Sequence, residues 1–438
     1  MVGVRWDASG VKEQPDYALM LELVVGLTNV RVVKVEVVDG VLEILVESAV
    51  PDGFCRVCGE AGVVHSRPTV RYADLPFGGR RAVLIWRKYR WECRSGVDPT
   101  WTEDRPDIAV RGSSGLTFRA SLWATVQVGR NVRSVLQLAE ELGVAWSTVM
   151  NAVTKIGSTL INDPERVRMV EQIGVDETLF QAASYQRRQA WVSTVTDVGA
   201  RKVIDVFQGR QRVDLERWFQ KQETVWLENV KVCVSDLHEP FRKAFTNCLP
   251  NAVKVVDQFH VIQMGNRAPD KTRRRLQVEQ TGHRGRAGEP LFTARKLMMM
   301  GAERIPQGSP GREKLMAAFA AADVEDQLYD AWIVKENVRD IYTFYGDPDG
   351  AAFWIDSLIL GCKQSVTKEV KAVGRMLKQW REPILAWHTT GASNGPVEGF
   401  NQVIKKVKRI AAGFRKFAHY RTRILLATGG CNWALIGA

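Results

Sequence analysis

Between residues 170 and 257 the sequence changes from strand-like to helix-like periodicity and back, in an order that few folds can accommodate. Three strand patterns are followed by a long amphipathic helix, a buried apolar strand, a second helix and another buried strand. The two buried strands end at Asp236 and Asp257. The predicted segments are 172–180, 190–197 and 202–208 as strands, 213–227 as a helix, 230–235 as a strand, a helix from about Pro240, and 252–256 as a strand.

This element order is typical of a ribonuclease-H-like core. In such a core the first and fourth strands are neighbours, so Asp176 on the first strand would face Asp236 across about 5 Å of sheet. Two carboxylates at that separation repel each other unless a cation lies between them. The order therefore predicts a metal-binding pair, although Asp236 alone could cap a turn and Asp176 alone could end a strand in an ion pair.

A third candidate acid lies far along the chain. Residues 393–399 open a helix with Pro396 at its first position and Glu398 in its first turn. Acidic residues are lacking after Glu398, whereas basic residues are frequent, which favours DNA phosphate as a neighbour. The alternative is that Glu398 only complements the helix dipole. The basic residues predicted to contact DNA are Lys405, Lys406, Lys408, Arg409, Arg415 and Lys416.

Three of the seven cysteines form a metal-binding pattern. Cys55 and Cys58, followed by a glycine, have the spacing of a zinc knuckle, and Cys93 lies where the second half of a zinc ribbon is expected. Asp98 stands five residues beyond Cys93, where another cysteine might be expected, and His65 is the nearest histidine in sequence. The other interpretation is a reduced cysteine cluster without metal.

Residues 132–157 carry a helix-turn-helix pattern with Gly143 in the turn. The second helix would present polar and aromatic side chains to base edges and phosphates. An ordinary helical hairpin inside a core is the alternative. The predicted DNA contacts of this helix are Trp146, Ser147, Thr148, Asn151 and Lys155.

Residues 266–384 show helical apolar spacing and no convincing strand pattern, which predicts an all-helical insertion in the catalytic core. Two arginine clusters at its start favour phosphate contacts over a merely solvated helix face. These arginines are Arg273, Arg274, Arg275, Arg284 and Arg286.

The overall charge agrees with a polyanionic partner. The chain has 61 Lys and Arg against 49 Asp and Glu, a formal net charge of +12, which favours nucleic acid. Apolar runs of the length that spans a bilayer are lacking, and the first residues do not resemble a signal peptide. We therefore expect a cytoplasmic protein without a membrane partner.

These motifs together resemble insertion-sequence transposases of the IS-L-three (ISL3) family, and the resemblance spans nearly the whole chain. Besides the Cys-x-x-Cys and helix-turn-helix patterns, it rests on 174–177 (Gly-Val-Asp-Glu), 234–236 (Val-Ser-Asp), 257–260 (Asp-Gln-Phe-His), 394–401 (Asn-Gly-Pro-Val-Glu-Gly-Phe-Asn) and 404–409 (Ile-Lys-Lys-Val-Lys-Arg). The missing fourth cysteine, with Asp98 in its neighbourhood, departs from the family pattern.

The resemblance implies a DDE transposase with its acidic triad on Asp176, Asp236 and Glu398. Such an enzyme cleaves and joins DNA strands with two Mg²⁺ (or Mn²⁺) ions held by these carboxylates. It also implies bound Zn²⁺, double-stranded DNA partners at the transposon ends and the target, a homodimer in the DNA complex, and a nucleoid-associated location in a bacterium. It leaves the role of Asp257 and His260 undetermined.

Two alternatives to transposition remain at this stage. A catalytically idle DNA-binding regulator predicts metal-independent binding without cleavage, and a structure-specific nuclease predicts cutting without end specificity or joining. The predicted fold class is multidomain α+β. Its parts are an N-terminal α/β segment (1–50) that begins with a short helix before residue 28, a zinc-ribbon-like domain (51–110) with a strand over 82–92 that leads to Cys93, a helix-turn-helix domain (111–168), the first part of the ribonuclease-H-like core (169–265), the helical insertion (266–384) and the C-terminal helical part of the core (385–438).

Overall fold

The computed structural model describes residue 22 and residues 25–97, 100–109, 115–185, 188–323 and 325–437. The chain divides into two compact units, Met1–Arg166 with Lys405–Ala438, and Val167–Ile404. Most of the helix predicted before residue 28, and Asp98, lie outside the described residues.

Two β-sheets form the first part of the first unit. The strands are β1 (Val30–Val38), β2 (Val41–Ser48), β3 (Val63–Ser66), β4 (Thr69–Phe77), β5 (Arg80–Arg87), β6 (Arg90–Glu92) and β7 (Trp101–Thr102). One sheet has the order β1-β2-β5-β4 and the other β3-β6-β7. The larger sheet buries Val46, Leu84 and Trp86 at 0% exposure, because alternate residues of each strand face the same side.

The strand predicted over 82–92 is divided between the two sheets. β5 pairs with β2 and β4 in the larger sheet, whereas β6 pairs with β3 and β7. The ribbon segment therefore contributes β4 and β5 to the sheet that begins in the N-terminal segment, so the predicted division at residue 50 does not separate two sheets. Period-two alternation identifies strands but leaves their partners open.

Glu47 on β2 is a buried carboxylate held by three arginines. Its side chain is 3% exposed and accepts hydrogen bonds from Arg31, Arg67 and Arg87, the last two at 2.7 Å. Burial by itself would raise the pKa of Glu47, but the hydrogen bonds from Arg31, Arg87 and Arg67 outweigh it and lower this pKa to about 2. The charged form of Glu47 thus stabilises the sheet above pH 4.5, and this contribution is lost as the pH falls toward 2.

We expect Glu47→Gln to lower the free energy of unfolding by about 2–3 kcal/mol at pH 7, because the buried amide lacks the charge that the half-buried Arg67 and Arg87 guanidinium groups bond to. Chemical denaturation followed by tryptophan fluorescence measures the change. Glu43→Gln is the matched control on the same strand: its partner Arg71 is 56% exposed, so its expected cost is below about 1 kcal/mol. Equal effects of the two changes would contradict the assignment.

Three helices follow in the first unit, α1 (Phe118–Gly129), α2 (Val135–Leu142) and α3 (Trp146–Ile161). Ser134 caps α2, since its side chain accepts a hydrogen bond from the Gln137 N–H. Gly143 ends α2 in the left-handed conformation with φ of 68°. The short turn to α3 and the buried Leu138, Ala139 and Val149 agree with the predicted pair of helices.

The second unit contains a five-stranded mixed sheet of β8 (Gln172–Gln181), β9 (Ala190–Asp197), β10 (Lys202–Gln208), β11 (Val232–Ser235) and β12 (Val253–Val256). Its order is β10-β9-β8-β11-β12. The first three strands pair antiparallel, and β8, β11 and β12 pair parallel. All five strands lie where the sequence predicts them, to within one or two residues.

Helices connect and extend this sheet: α4 (Arg212–Phe219), α5 (Thr224–Asn229), α6 (Glu239–Cys248), α7 (Gln258–Thr281), α8 (Pro290–Met299), α9 (Pro310–Ala322), α10 (Gln327–Asp340), α11 (Pro348–Gln364), α12 (Lys368–Thr390) and α13 (Gly395–Ile410). The single helix predicted over 213–227 is two helices, because residues 220–223 are all polar and offer no side chain to the core. The helical region begins with α7, directly after Asp257, rather than at residue 266.

The last helix, α14 (Phe417–Thr428), belongs to the first unit. Leu426 of α14 fills the space that a side chain at Gly129 of α1 or Gly157 of α3 would need. The range 385–438, predicted as one part of the core, is therefore split at residues 404 and 405. The buried Ile424, Leu425 and Leu426 give α14 an apolar face that the first unit covers.

A search of the described helices finds none whose length and apolar content would let it span a bilayer.

Candidate functional site

Three aspartates stand at matching positions on neighbouring parallel strands of the second unit, Asp176 within β8 and Asp236 and Asp257 directly after β11 and β12. Ser235 pairs in register with Val175 of β8 and with Val256 of β12. The next residue of each strand segment is an aspartate: Asp176, Asp236 and Asp257. Neighbouring strands lie about 4.8 Å apart, so the carboxylates are grouped at one edge of the sheet, as predicted for Asp176 and Asp236.

Asp176 is half-buried and bonded to neutral groups. The Asn401 side-chain amide donates to its Oδ2, and the Glu177 backbone N–H donates to its Oδ1 at 2.8 Å. Burial and, after it, the negative charge of Asp236 raise the pKa of Asp176 to about 7. A cation beside Asp176 would favour its ionised form.

His260 in the first turn of α7 joins the other two carboxylates. Its Nε2 lies 2.9 Å from Asp236 Oδ2, and its Nδ1 lies 3.5 Å from Asp257 Oδ2. Burial alone would lower the pKa of His260, but the hydrogen bond to Asp236 and the nearby carboxylates of Asp236 and Asp257 raise it to about 10. Asp257 also caps α7 by accepting from the Phe259 N–H at 3.4 Å. The imidazolium therefore fixes both aspartates against the start of α7.

The loop before α13 and its first turns bring two asparagines to the carboxylates. Asn394 donates to Asp236 Oδ1 at 3.3 Å, and Asn401, which contacts Asp176, accepts from Thr178 Oγ1 at 3.3 Å. Close approach depends on Gly174 of β8, where an added Cβ would lie 2.6 Å from Val397 Cγ2 and 2.8 Å from Asn394 Oδ1. Asn394 and Asn401, which lie 218 and 225 positions after Asp176 in the sequence, are thereby placed against this strand.

Glu398 lies between these asparagines along the helix but has a different environment. Residues 394, 398 and 401 recur at i, i+4 and i+7, which places them on one face of α13. Asn394 and Asn401 are buried, whereas Glu398 is exposed. Among the described residues near these strands, one group of possible metal ligands has its ligand atoms within 4.8 Å of one another. It consists of Asp236, Asp257 and His260. Of the three predicted ligands only Asp236 is in that group; Asp176 and Glu398 are not.

No role was predicted from the sequence for the two asparagines, although both stand in the 394–401 motif. Glu177 was likewise given no role; its Oε1 lies 4.0 Å from His238 Nε2 and 4.0 Å from Arg210 Nη1. Burial is the main cause that lowers the pKa of His238. The family motif and the spacing at i and i+7 were the sequence signals for the asparagines, because an amide carries neither charge nor reactivity that marks it as functional.

The first unit contains the predicted cysteine cluster. One ligand atom from each of Cys55, Cys58 and Cys93 lies within 4.8 Å of the others, and Cys58 Sγ is 3.6 Å from Cys93 Sγ. Two thiolates on one tetrahedral zinc with bonds of 2.3 Å are about 3.8 Å apart. The spacing of these thiols therefore fits a zinc ion.

The side chains predicted to contact DNA from α3 mostly face solvent. Ser147, Asn151 and Lys155 are exposed and recur every fourth residue, so they share one face of the helix. Thr148 is half-buried. Trp146 is 41% exposed and lies 5.5 Å from the His419 ring between centroids.

Two arginines of α7 have structural contacts instead. Arg273 is 3% exposed and bonds to Asp270, Gln277 and the Arg284 carbonyl. Arg275 bonds to Glu369 at 3.0 Å and to Gln327 at 2.7 Å. We remove Arg273 and Arg275 from the set of proposed DNA contacts, because Arg273 is bonded within its own helix and to the following loop, and Arg275 joins α7 to α10 and α12. Runs of arginine in a sequence do not distinguish the buried from the exposed face of a helix.

The other predicted basic residues remain available on the surface. Arg274 and Arg284 line an open groove of about 360 Å³ together with Lys271, and Arg286 is exposed. In the C-terminal region the exposed cations are Lys405, Lys406, Arg409, Arg415 and Lys416. Lys408 is half-buried, and burial lowers its pKa.

Comparison with known proteins agrees with these features. Residues 51–96 match the zinc-finger family of transposases IS204/IS1001/IS1096/IS1165, and residues 173–424 match the ISL3 family model described as a transposase. The two matches define an insertion-sequence transposase. Since the second match covers more than half of the 438 residues, the chain belongs to the ISL3 family, which confirms the resemblance found in the sequence.

Individual relatives are distant. The chain is 25% identical over 296 residues to the transposase for insertion sequence element IS1557 of two Mycobacterium tuberculosis strains. The match covers 64% of this chain and 64% of the length of each of these relatives. It is 21% identical over 378 residues to the transposase for IS1001 of Bordetella parapertussis, covering 86% of this chain and 89% of that one. The solved Drosophila P element transposase strand transfer complex matches 72% of this chain and 92% of its own, with a TM-score of 0.37 and 11% identity.

Proposed function

We propose that the protein is a DNA transposase that binds the terminal inverted repeats of its element and carries out strand cleavage and strand transfer. The observation that carries the proposal is that Asp176 and Asp236, at neighbouring positions on adjacent parallel strands, meet Asn401 of α13 and Asn394 just before it, over 150 positions further along the chain. Membership of the ISL3 family supports it. In this sheet β10, β9 and β8 pair antiparallel, and β11 and β12 follow parallel to β8. This order supports a ribonuclease-H-like core.

The carboxylates Asp176, Asp236 and Glu398 are the proposed ligands of Mg²⁺ or Mn²⁺. Their oxygen atoms suit these hard cations, and the raised pKa of Asp176 marks a carboxylate whose charge the protein leaves uncompensated. Bound divalent ions would supply an activated nucleophile and charge stabilisation at the leaving oxygen.

The neighbouring residues position these ligands. Asn401 and the Glu177 N–H orient Asp176, while Asn394 and His260 orient Asp236. Asp176 and Asp236 are thereby each held by two groups, which limits the motion of their oxygen atoms. Asp257 acts on Asp236 through the His260 imidazolium, so we propose Asp257 and His260 as positioning residues.

DNA recognition is proposed for the first unit and the basic surfaces. Exposed residues of α3 would contact bases and phosphates as the second helix of a helix-turn-helix. The cations of the C-terminal region, with Arg274, Arg284 and Arg286, would bind phosphates. The cysteine cluster would bind Zn²⁺ as the ribbon's structural centre. Because two transposon ends have to be held together, we propose that a homodimer forms on DNA.

The test is incubation of the full chain with a plasmid that carries its gene and the flanking genomic DNA, in the presence of Mg²⁺, Mn²⁺ or EDTA. We expect breaks at both element ends and joined products with either metal, and neither with EDTA. The control plasmid has scrambled flanking sequences. Cutting of both plasmids alike would indicate a nuclease, and end binding without cleavage in any metal would indicate a regulator; either result rejects the proposal.

A further inference from the structure

The zinc ribbon has two similar loops that differ at one ligand position. In the first loop, 55–59, the Gly59 N–H donates to the Cys55 carbonyl at 2.8 Å with Gly59 at φ of 74°. In the second, 93–96, the Gly96 N–H donates to the Cys93 carbonyl at 3.3 Å with Gly96 at φ of 69°. Each loop therefore begins at a cysteine and is closed by a left-handed glycine.

The residue before each closing glycine lies beside the thiols, although the second loop is one residue shorter than the first. In the first loop this residue is Cys58. In the second it is Ser95, whose Oγ lies 3.2 Å from Cys58 Sγ and 3.1 Å from Cys93 Sγ. The serine hydroxyl thus contacts two of the three thiols and lies beside the thiol cluster.

We propose that Ser95 Oγ occupies the fourth vertex of the ribbon's zinc site, which would then have three thiolate ligands and one oxygen ligand. The inference rests on the proposed zinc binding and specifies its ligand set. It favours Ser95 over the sequence candidates Asp98 and His65, and the His65 ring lies 3.4 Å from the Ser66 hydroxyl through Nδ1.

An oxygen vertex changes the expected properties of the site. A neutral hydroxyl is a harder and weaker zinc ligand than a thiolate, so the metal should be released more readily than from four cysteines. Cys58 and Ser95 are also exposed, whereas Cys55 and Cys93 are buried. Solvent and chelators therefore reach the site from the side of the serine.

The experiment uses the purified full chain loaded with one equivalent of Co²⁺ or Zn²⁺. The variants are Ser95→Cys, Ser95→Ala, Asp98→Ala and His65→Ala, and Ser66→Cys is the control for adding a thiol elsewhere in the ribbon. The readouts are the visible and thiolate charge-transfer absorption of Co²⁺, and the rate at which a colorimetric chelator removes Zn²⁺.

We expect Ser95→Cys to shift the Co²⁺ bands to longer wavelength, to increase the thiolate charge-transfer band by about a third, and to slow zinc loss about tenfold or more. Ser95→Ala should speed zinc loss, whereas Asp98→Ala, His65→Ala and Ser66→Cys should leave spectrum and rate unchanged. A spectrum altered by Asp98→Ala or His65→Ala but not by the Ser95 changes would overturn the assignment while retaining zinc. Failure of the wild-type chain to bind either metal would overturn the zinc proposal itself.

Discussion

Asp236→Asn is expected to reduce DNA strand cleavage by about a thousandfold or more, while the protein still folds and binds the ends of its element. Asparagine has nearly the shape of aspartate and keeps an oxygen that can accept from the Asn394 amide. It lacks the negative charge that would hold a divalent ion, and that ion would stabilise the charge that develops at the reacting phosphate. Cleavage rates on end-containing DNA in saturating Mn²⁺, with gel-shift binding in EDTA, measure the two effects separately.

The matched control for Asp236→Asn is Glu382→Gln on α12. This change also removes one carboxylate charge, but Glu382 is 80% exposed and pairs with Arg381 at the surface, so cleavage should remain within about twofold. Cleavage by Asp236→Asn at the wild-type rate would remove Asp236 from the active site and, with it, the proposed metal site at this edge of the sheet.

Glu398→Gln is expected to reduce cleavage by about a thousandfold, as Asp236→Asn does. Glu398 is the third proposed metal ligand and lies on the face of α13 that contacts Asp176 and Asp236. Its exposed side chain lacks the packing role of Asn394 and Asn401, so the free energy of unfolding should hardly change. Gln402→Ala is the control, since Gln402 is the exposed residue that follows Asn401 on the same helix.

The comparison with Asp257→Asn makes this prediction decisive. Asparagine can still cap α7, but it weakens the pairing with His260, so a smaller loss of cleavage is expected if Asp257 only positions Asp236. If Asp257→Asn is inactive and Glu398→Gln retains full activity, the third ligand is Asp257, in agreement with the grouping of Asp236, Asp257 and His260. Isothermal titration with Mn²⁺ provides an independent measure of which carboxylates bind the ion.

Local patterns predicted most of the elements that surround the site. The strands that end at Asp236 and Asp257 are short apolar runs followed by an acid, and strand-like segments of this kind are visible without any tertiary information. The Cys55 and Cys58 spacing was equally local. The pairing of strands could not be predicted locally. The segment predicted as one strand over 82–92 contributes to two sheets, because packing over long sequence distances selects which strands are neighbours.

The same distinction applies to charged and amide side chains. The sequence marked Arg273, Arg274 and Arg275 alike, but only the fold turns Arg273 into the core, where Asp270 and Gln277 neutralise and bond it. Asn394 and Asn401 carried no chemical signal, yet they contact the two aspartates. Their importance arises from position alone, and position depends on how α13 packs against Gly174.

What the linear sequence determined is therefore the set of elements, the family resemblance and the identity of the candidate acids, since these depend on residue types and short spacings. The tertiary structure alone decided that Asp257 and His260 join Asp236, that two asparagines hold the carboxylates, and that Ser95 meets the thiols of Cys58 and Cys93. The physical reason is that a contact between residues distant in sequence depends on the packing of whole elements, which no local periodicity encodes.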